Sequence, residues 1–439
     1  MVNYFKEEII GITKRILKRD FSGNRGIAIK NSILQFLTSV VGKAGSLFFT
    51  LILARMLMPE LFGLYSLSLS TILIFAAFTD LGVTSALIKF LSKNEKNFKK
   101  KSAYFIFIRN LKLKLTFLVS LILLVSAYFI ANFYYKKPIF YALIAGSLYI
   151  IFSSFLTFTI GVFQSKNNFK YPLYKEIFYQ TLRLILIPLT ILFFISLEKE
   201  IFLGILFLTL SLCFLFSIFF LYPKIEKFQK TDLTNEEKKE VIKFILPLSA
   251  TILTGIFFGS IDVVMLGRFV ESQFLAFYQA AFALLGSVGA LIPFSIVFFP
   301  LFVRLKKYKL NLALKKSVFF SVILSLFAFI CILIFSSIVV KIIYGSSYLS
   351  SINILRFISI LLIIDSLNAI YSNFLISQGK NYLIAKLYLI STFLNILLNF
   401  FLIKYFLQFS MFHATIGAAT ATILSRSFLL FFLWKNVKS

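Results

Sequence analysis

Long apolar runs separated by lysine-rich loops are the feature that most restricts how this chain can fold. Apolar residues make up 59% of the 439 residues and charged residues only 14%, whereas a soluble domain carries roughly 25% charged residues. The runs are about 20 residues long, which is the length of helix that crosses a bilayer core. Because no water satisfies backbone polar groups there, each run must be helical. The sequence therefore predicts an all-α integral membrane protein.

Twelve apolar runs are predicted to be transmembrane helices, arranged as two six-helix lobes. Spans 1 to 6 cover residues 30–54, 61–81, 113–133, 139–163, 177–197 and 201–221. Spans 7 to 12 cover residues 241–267, 275–303, 312–339, 352–376, 387–405 and 412–434. The predicted domains are an amphipathic cytoplasmic N-terminal segment at 1–29, a first lobe at 30–222, a linker at 223–240, a second lobe at 241–434 and a tail at 435–439.

The distribution of positive charge predicts the orientation of these spans. About thirty-four Lys and Arg residues lie in the N-terminal segment, alternate loops, the linker and the tail, and about seven lie in the opposite loops. Cytoplasmic loops carry such an excess. Both termini and the linker are therefore predicted to be cytoplasmic, in a multi-pass protein of the inner or plasma membrane. Because each lobe begins and ends on one side, a pseudo-two-fold axis along the membrane normal is expected.

A thirteen-residue pattern occurs twice, about half the chain apart. Residues 53–65 read LARMLMPELFGLY and residues 266–278 read LGRFVESQFLAFY, aligned without a gap. Two similar halves in a membrane are typical of a transporter. Both copies place an arginine, Arg55 or Arg268, at the outer end of a helix. Each is predicted to bind the last carbonyls of its own helix, span 1 or span 7, with contact to the cargo as the alternative.

Residues suited to enzymatic chemistry are scarce. His413 is the single histidine, and Cys213 and Cys331 both lie inside apolar runs. These residues cannot form a metal cluster or a general-base network, and no glycine-rich phosphate loop is present. A net charge of +29 would suit nucleic acid in a soluble protein, but here it lies mostly in alternate loops. The sequence therefore predicts no enzyme, no metal site and no nucleic-acid partner.

Four cations lie at depths where insertion into a membrane costs about 2.5 to 3.5 kcal/mol each. They are Lys43, Arg183 and Arg426, together with Arg356, which is shallower, one or two turns into span 10. One hypothesis is a cationic cavity that binds a phosphorylated cargo, because guanidinium groups pair bidentately with phosphate. The alternative is that these side chains snorkel to the membrane surface or form structural ion pairs with Asp262 or Asp365.

Asp262 and Asp365 are the acids that lie deep in the second lobe. Asp365 shares a helix face with Asn368 and Ser372, at spacings of three and four residues. Oxygen ligands grouped in this way can bind Na⁺ or carry a proton, so Asp262, Asp365 and Asn368 are candidates for ion coupling. The alternative is that the two acids neutralise the arginines.

The polar stretch between the lobes is predicted to be a solvated connector. It reads KIEKFQKTDLTNEEKKE over residues 224–240. Asp232 and Thr234 are residue types that cap helices, so a helix is predicted to begin near Asn235 and to run into span 7.

The start of the chain resembles a known family. The end of span 1 and span 2 read LARMLMPELFGLYSLSLS and then FTDLGVTSALIKF, which resembles the bacterial polysaccharide-biosynthesis flippases of the Wzx type. That family shares a superfamily with multidrug (MATE) exporters and the lipid II flippase of peptidoglycan synthesis. The second copy of the motif is weaker. The matching residues are Ala54, Arg55, Pro59, Phe62, Gly63, Tyr65, Asp80, Leu81 and Gly82.

The resemblance implies a MATE-like fold and a transporter that needs no cofactor. The implied activity is the movement of an undecaprenyl-pyrophosphate-linked oligosaccharide, a repeat unit of O-antigen, capsule or another surface polysaccharide, from the cytoplasmic to the outer leaflet. Na⁺ or H⁺ is a candidate coupling ion. The expected partners are the lipid-linked substrate and membrane lipids, with polysaccharide assembly proteins as further candidates.

Three alternatives to a flippase remain. The first is a MATE-like, ion-coupled exporter of drugs or other small molecules, which would be expected to have an acidic interior when its cargo is cationic. An enzyme such as a polymerase or glycosyltransferase would be expected to present acidic or His residues on long outer loops. A non-transporting scaffold would gain nothing from deep charges that are costly to insert.

Overall fold

The computed structural model describes residues 23–290, 302 and 307–438. Within these residues every regular element is a helix, which confirms the predicted all-α fold. Most of the predicted amphipathic segment at 1–29 lies outside the described residues, as does the second half of span 8. The fold is therefore followed from the start of span 1 to the end of span 12, with one gap in span 8.

The helices follow the predicted spans closely. Those of the first lobe are Gly23–Ala77, Val83–Lys93, Phe98–Tyr128 with a π-helical turn at Phe129–Tyr135, Phe140–Ser165, Lys170–Phe194 and Lys199–Leu221. Those of the second lobe are Asn235–Phe269, Ser272–Ala290, Lys307–Ile343, Ser351–Ile358, Leu361–Ser377, Asn381–Leu407 and Met411–Lys438. Short 3₁₀ turns lie at Tyr222–Lys224 and Ser346–Tyr348.

Ten of the described helices are long and apolar enough to cross a membrane. The first covers Ile29–Ala77, and its 49 residues are enough for both span 1 and span 2. Span 8 is interrupted by the undescribed residues. The described helices are thus consistent with twelve spans in two lobes.

Spans 1 and 2 join at a sharp bend rather than at a loop. Met58 has a φ of 58° and a ψ of 169°, and Pro59 follows it. Proline has no backbone N–H and keeps the preceding residue out of the α conformation. The helix therefore changes direction at Met58, between the predicted end of span 1 at Ala54 and the predicted start of span 2 at Leu61.

Span 2 has a second break, which is held by a buried ion pair. Leu81 and Gly82 both have positive φ, at 43° and 94°. Just before them, the Asp80 carboxylate accepts hydrogen bonds from the Thr84 backbone N–H (3.2 Å) and from Lys112 Nζ (2.8 Å). Lys112 is 1% exposed. It belongs to the helix of span 3, which begins at Phe98 rather than at the predicted residue 113. Asp80 therefore caps the helix Val83–Lys93, which follows the predicted end of span 2, and ties it to span 3.

The linker packs against the first lobe through a few side chains, while most of its residues are exposed, as expected for a solvated connector. The Thr231 hydroxyl donates to the Lys99 carbonyl (3.1 Å), and the Ser102 hydroxyl accepts from the Gln229 N–H (3.3 Å). The Phe228 ring stacks on Phe105, with 3.8 Å between ring centroids. The linker sequence is polar overall, but its few apolar side chains are enough to dock it on span 3.

Two features of the linker are electrostatic. The predicted cap is confirmed: Thr234 and Glu237 form a capping box at a helix that begins at Asn235. Glu226 forms ion pairs with Lys101 (3.3 Å) and Lys166. Although burial opposes ionisation of Glu226, these pairs outweigh it and lower the pKa of that carboxyl. Their contribution is present at neutral pH and is lost as the pH falls through this lowered pKa.

The molecule has two ends along its transmembrane helices, the linker end and the turn end. The linker end carries residues 223–240, and the turn end carries the turns that join span 1 to span 2 and span 7 to span 8. At the turn end, one apolar core contains residues of both lobes, among them Phe62, Tyr278 and Tyr348. Gly63 lies so close to the second lobe that a Cβ there would be 1.7 Å from the Ser272 carbonyl oxygen. The lobes are therefore in direct contact at the turn end.

We predict that Gly63→Ala lowers the thermal stability of the purified protein. The added methyl group would collide with backbone of the other lobe, and overpacking of this kind costs about 1 to 3 kcal/mol. The measurement is the unfolding midpoint in detergent.

The matched control is Gly255→Ala in span 7, where a Cβ would meet nothing within 4 Å. Replacing this helical glycine by alanine is expected to leave the midpoint unchanged or to raise it slightly. Equal midpoints for the two variants would contradict the close contact at Gly63.

Candidate transport site

The two repeated arginines join the lobes at the turn end. Arg55 Nε donates to the Ile343 carbonyl at 2.7 Å, and its Nη2 contacts the Ile342 carbonyl. These are the last carbonyls of span 9, in the other lobe. The prediction that Arg55 binds the end of its own span is therefore wrong. Span 1 is followed closely by the bend at Met58, and its Ala54 carbonyl accepts from Tyr348 of the other lobe instead.

Arg268 makes the equivalent contact in the opposite direction. Its Nη1 donates to the Phe133 carbonyl at 3.0 Å and contacts the Tyr134 carbonyl. These carbonyls end span 3 of the first lobe, which corresponds to span 9 of the second. The own-span prediction is wrong for Arg268 as well, because the last turn of span 7 is already bonded through the Val270 N–H to Leu266.

A second pair of contacts repeats the exchange. The Tyr348 hydroxyl, just after span 9, donates to the Ala54 carbonyl at 2.9 Å. Lys137 Nζ, just after span 3, donates to the Val270 carbonyl at 2.8 Å. We call Arg55, Arg268, Lys137 and Tyr348 together the clasp. Helix ends carry unsatisfied carbonyls and partial negative charge, and the clasp satisfies those of each lobe with donors from the other.

A stripe of polar side chains runs along span 1 from near the clasp towards the linker end. Its residues are partly or largely exposed and repeat at helical spacing: Gln35, Ser39, Lys43, Ser46 and Thr50. The stripe ends at Leu53 and Ala54, which are 1% and 0% exposed where the lobes meet. Exposed polar side chains at membrane depth face a water-filled cavity rather than lipid. The stripe therefore lies outside the packed core, and it stops where the lobes meet at the turn end.

Arg183 of span 5 lies beside this stripe and has no acidic partner. Its Nη2 donates to the Ser46 hydroxyl at 2.9 Å. Its guanidinium carbon lies 4.4 Å from the Phe49 ring centroid and 5.1 Å from that of Tyr179. Among the described residues, neither Arg183 nor Lys43 forms an ion pair with a carboxylate. The structure thus brings two of the four predicted cations to one wall, with their charge uncompensated.

Arg426 in the second lobe is neutralised. Its Nη1 forms an ion pair with Asp365 Oδ2, and its backbone carbonyl accepts from Asn368 Nδ2 at 3.1 Å. The Asp365 side chain is still 43% exposed. The alternative reading of Arg426 as part of a structural ion pair therefore describes its contacts, and Asp365 and Asn368 are brought together around it.

Asp262 lies in a separate buried network. Its carboxylate accepts from Tyr278 Oη (2.6 Å), Asn399 Nδ2 (2.7 Å) and Thr422 Oγ1 (2.5 Å). Asn395 extends the network from Asn399 towards Thr422. These three donors occupy three of the roughly four acceptor sites of the carboxylate. Ion coupling at Asp262, Asp365 and Asn368 stays a prediction.

Arg356 is placed apart from the other three cations. Its Nε and Nη2 donate to the hydroxyls of Ser336 (2.8 Å) and Ser337 (3.2 Å) in span 9, and its side chain is exposed. No contact joins it to Lys43, Arg183 or Arg426 within the described part of the chain. Its predicted contact with cargo stays a prediction, without support from this arrangement.

Several residues of these sites were not identified from the sequence. The stripe on span 1 had a signal in the three- and four-residue spacing of Gln35, Ser39, Lys43 and Ser46. Lys112 lies just before the predicted start of span 3, in a basic loop, but the helix begins at Phe98 and includes it. Lys137 and Tyr348 had no sequence signal, because their partners are backbone carbonyls of the other lobe.

We predict that Arg55→Gln with Arg268→Gln opens the turn end. A hydrogen bond from a charged group contributes about 1.5 to 3 kcal/mol, and the two side chains are exposed, so we expect roughly a tenfold rise in the open population. The reporter is Leu67→Cys with Cys213 and Cys331 replaced. Leu67 is 0% exposed and packs against Gly267 of the other lobe. Its reaction with a membrane-impermeant thiol reagent should accelerate.

The control is Lys404→Gln, a cation of the turn end that lies over Phe400 of its own helix. It should leave the labelling rate unchanged. Equal rates in the double arginine variant and the parent would show that the clasp does not hold the lobes together.

We predict that Asp365→Asn and Arg426→Gln each lower the thermal stability, and that the double variant recovers most of the loss. Removing one partner leaves a charge unpaired at membrane depth, whereas removing both does not. The check is a double-mutant cycle of unfolding midpoints. Additive losses would mean that the two groups are not coupled.

Sequence comparison places the chain in a family. Residues 28–306 match the model of the family described as polysaccharide biosynthesis protein. This match covers more than half of the chain and includes the clasp arginines. A comparison with curated proteins finds no match.

Three solved structures with a similar fold are described as a flippase or as transporters. The structure of "Lipid II flippase MurJ, inward closed conformation" has a TM-score of 0.71 at 17% identity, covering 94% of this chain and 88% of that one. An inward-facing MATE family multidrug transporter of the MOP superfamily has a TM-score of 0.66 at 13% identity, covering 90% and 94%. An outward-facing MATE family transporter has 0.57 at 14%, covering 95% and 97%.

These likenesses confirm the predicted MATE-like fold. They also agree with the prediction of a transporter rather than an enzyme. The motifs of spans 1 and 2, the reciprocal clasp and the family match lead to one conclusion. The chain belongs to the polysaccharide biosynthesis protein family, and its fold is similar to the folds of these flippase and MATE transporter structures.

Proposed function

We propose that this protein is a flippase that moves a polyprenyl-pyrophosphate-linked oligosaccharide from the cytoplasmic to the outer leaflet by alternating access. In this proposal the linker end faces the cytoplasm of a cell with an inner or plasma membrane. The clasp closes the outer side while the cargo enters. The family supports a role in polysaccharide biosynthesis, and the related structure described as a lipid II flippase supports a lipid-linked cargo.

The observation that carries the proposal is the uncompensated positive charge on the wall of the first lobe. Lys43 lies about 16 Å and Arg183 about 21 Å of helix from the outer end of its predicted span, at 1.5 Å per residue. A cation held at this depth without an acid is costly. An anionic cargo would remove that cost when it binds. A pyrophosphate suits the pair, since Arg offers a planar fork of donors and Lys a point charge.

The second lobe supports the assignment by contrast. Its deep cation, Arg426, is already paired with Asp365. Charge attraction for an anion is therefore concentrated in the first lobe. The aromatic rings of Phe49 and Tyr179 are buried and pack beside Arg183, where they hold its guanidinium in place.

The membrane potential would favour export of such a cargo. Moving one charge across 100 mV is worth about 2.3 kcal/mol, so two pyrophosphate charges that leave a negative cytoplasm gain roughly 4 to 5 kcal/mol. Coupling to Na⁺ or H⁺ is then optional in this proposal.

We predict that Arg183→Gln and Lys43→Gln each reduce transport of a fluorescent polyprenyl-pyrophosphate-linked sugar in proteoliposomes by tenfold or more. Loss of a charge-assisted contact to phosphate has about this effect. Arg356→Gln is the matched control, because it removes an arginine whose contacts lie elsewhere. It should transport at the parent rate.

The outcomes separate three accounts. Equal loss in all three variants would favour the four-cation cavity predicted from the sequence. No loss in Arg183→Gln and Lys43→Gln, with protein folded and inserted, would overturn the proposal. Transport that is indifferent to an imposed membrane potential would count against the energetic part alone.

A MATE-like exporter of small molecules is the second candidate, and the Asp262 network favours it. A buried carboxylate among Tyr278, Asn399 and Thr422 is the kind of group that couples transport to a cation. Export of cationic dyes that depends on Asp262 and not on Arg183, in the same proteoliposomes, would support this candidate over the flippase.

A further inference from the structure

A cleft at the linker end lies between span 3 and the docked linker, away from the candidate transport site. Its volume is about 470 Å³, within the usual range for a bound small molecule. Ala103, Phe107 and Leu111 of span 3 form an apolar floor together with Leu233 of the linker. The cleft exists because the linker packs on the first lobe instead of extending into solvent.

The rim of the cleft is basic. Lys114 of span 3 and Lys238, in the first turns of the helix that becomes span 7, both line it. Neither forms an ion pair with a carboxylate among the described residues. Asp232 is the acid of the lining. The cleft therefore offers two cations for a phosphate and one carboxylate for a hydroxyl donor.

The same face of span 3 continues from the cleft into the apolar part of the span. Beyond Lys114, the side chains of Phe117, Leu121 and Val125 follow at helical spacing and are 54%, 57% and 75% exposed. Such a face at membrane depth is covered by acyl chains. The cleft is large enough for a lipid headgroup. Its basic rim and the strip that faces acyl chains follow one another along span 3.

We propose that this cleft binds the headgroup of an anionic phospholipid of the phosphatidylglycerol type, with an acyl chain along Phe117, Leu121 and Val125. Lys114 and Lys238 hold the phosphate, and Asp232 accepts from a glycerol hydroxyl. Because Lys238 begins span 7 and Lys114 belongs to the first lobe, the bound lipid ties the linker and the start of the second lobe to span 3. This binding requires membrane insertion but no particular cargo.

The test is native mass spectrometry of the full-length protein in micelles that contain phosphatidylglycerol and phosphatidylcholine. Lysines near an anionic lipid surface contribute about fivefold each to affinity. We expect Lys114→Gln with Lys238→Gln to weaken the tightest phosphatidylglycerol site by at least tenfold. The control, Lys316→Gln with Lys386→Gln, removes two exposed lysines outside the cleft and should leave that site unchanged.

A second variant, Ala103→Phe, fills the floor of the cleft without changing charge and should also displace the lipid. Unchanged binding in the double lysine variant would overturn the proposal. Equal loss in the control would reduce the effect to diffuse attraction by surface charge, which also overturns it. Retained binding in folded Ala103→Phe protein would exclude the cleft as the site. These readouts do not depend on transport, so failure of the flippase proposal leaves them intact.

Discussion

The architecture depends on the capture of helix-end carbonyls of one lobe by side chains of the other. A transmembrane helix that ends at the surface leaves carbonyls without partners and a partial negative charge. Here spans 3 and 9 end beside Arg268 and Arg55, respectively, each of which reaches across from the opposite lobe. Lys137 and Tyr348 return the exchange. Because both halves use the same device, the closed turn end preserves the two-fold relation of the lobes.

The deep charges of the two lobes differ in whether they form ion pairs. The polar stripe of span 1 ends where the lobes close, and Arg183 lies beside it between Phe49 and Tyr179. The first lobe keeps its positive charge uncompensated, whereas the second pairs Arg426 with Asp365. This asymmetry between similar halves suggests a division of roles, in which one wall attracts an anion and the other is near neutral. In the second lobe, the Asp262 carboxylate is buried and accepts three hydrogen bonds from its own lobe. This acid therefore needs no contact with cargo.

Much of the fold followed from the sequence because hydrophobic length and helical periodicity are local properties. The twelve apolar runs and the cap at Thr234, before the helix that begins at Asn235, could be predicted in this way. The partners of Arg55 and Arg268 were not, since a motif at a helix end does not reveal which helix end it meets. Likewise, the linker looked solvated by composition, but Phe228 and Leu233 dock it. The deep charges could be identified in the sequence because a charged residue inside an apolar run is costly to insert into a membrane. Their ion pairs could not be predicted, because these depend on which side chains meet in three dimensions.

The central claim is that the lobes separate at the turn end when cargo crosses. The most direct measurement is the distance between spin labels at Leu197 and Phe409, which are exposed at the turn ends of the two lobes. In the resting protein we expect one population. Addition of a polyprenyl-pyrophosphate-linked oligosaccharide should create a second, longer distance whose share grows with its concentration. A single unchanged distance in protein that still transports would contradict the account.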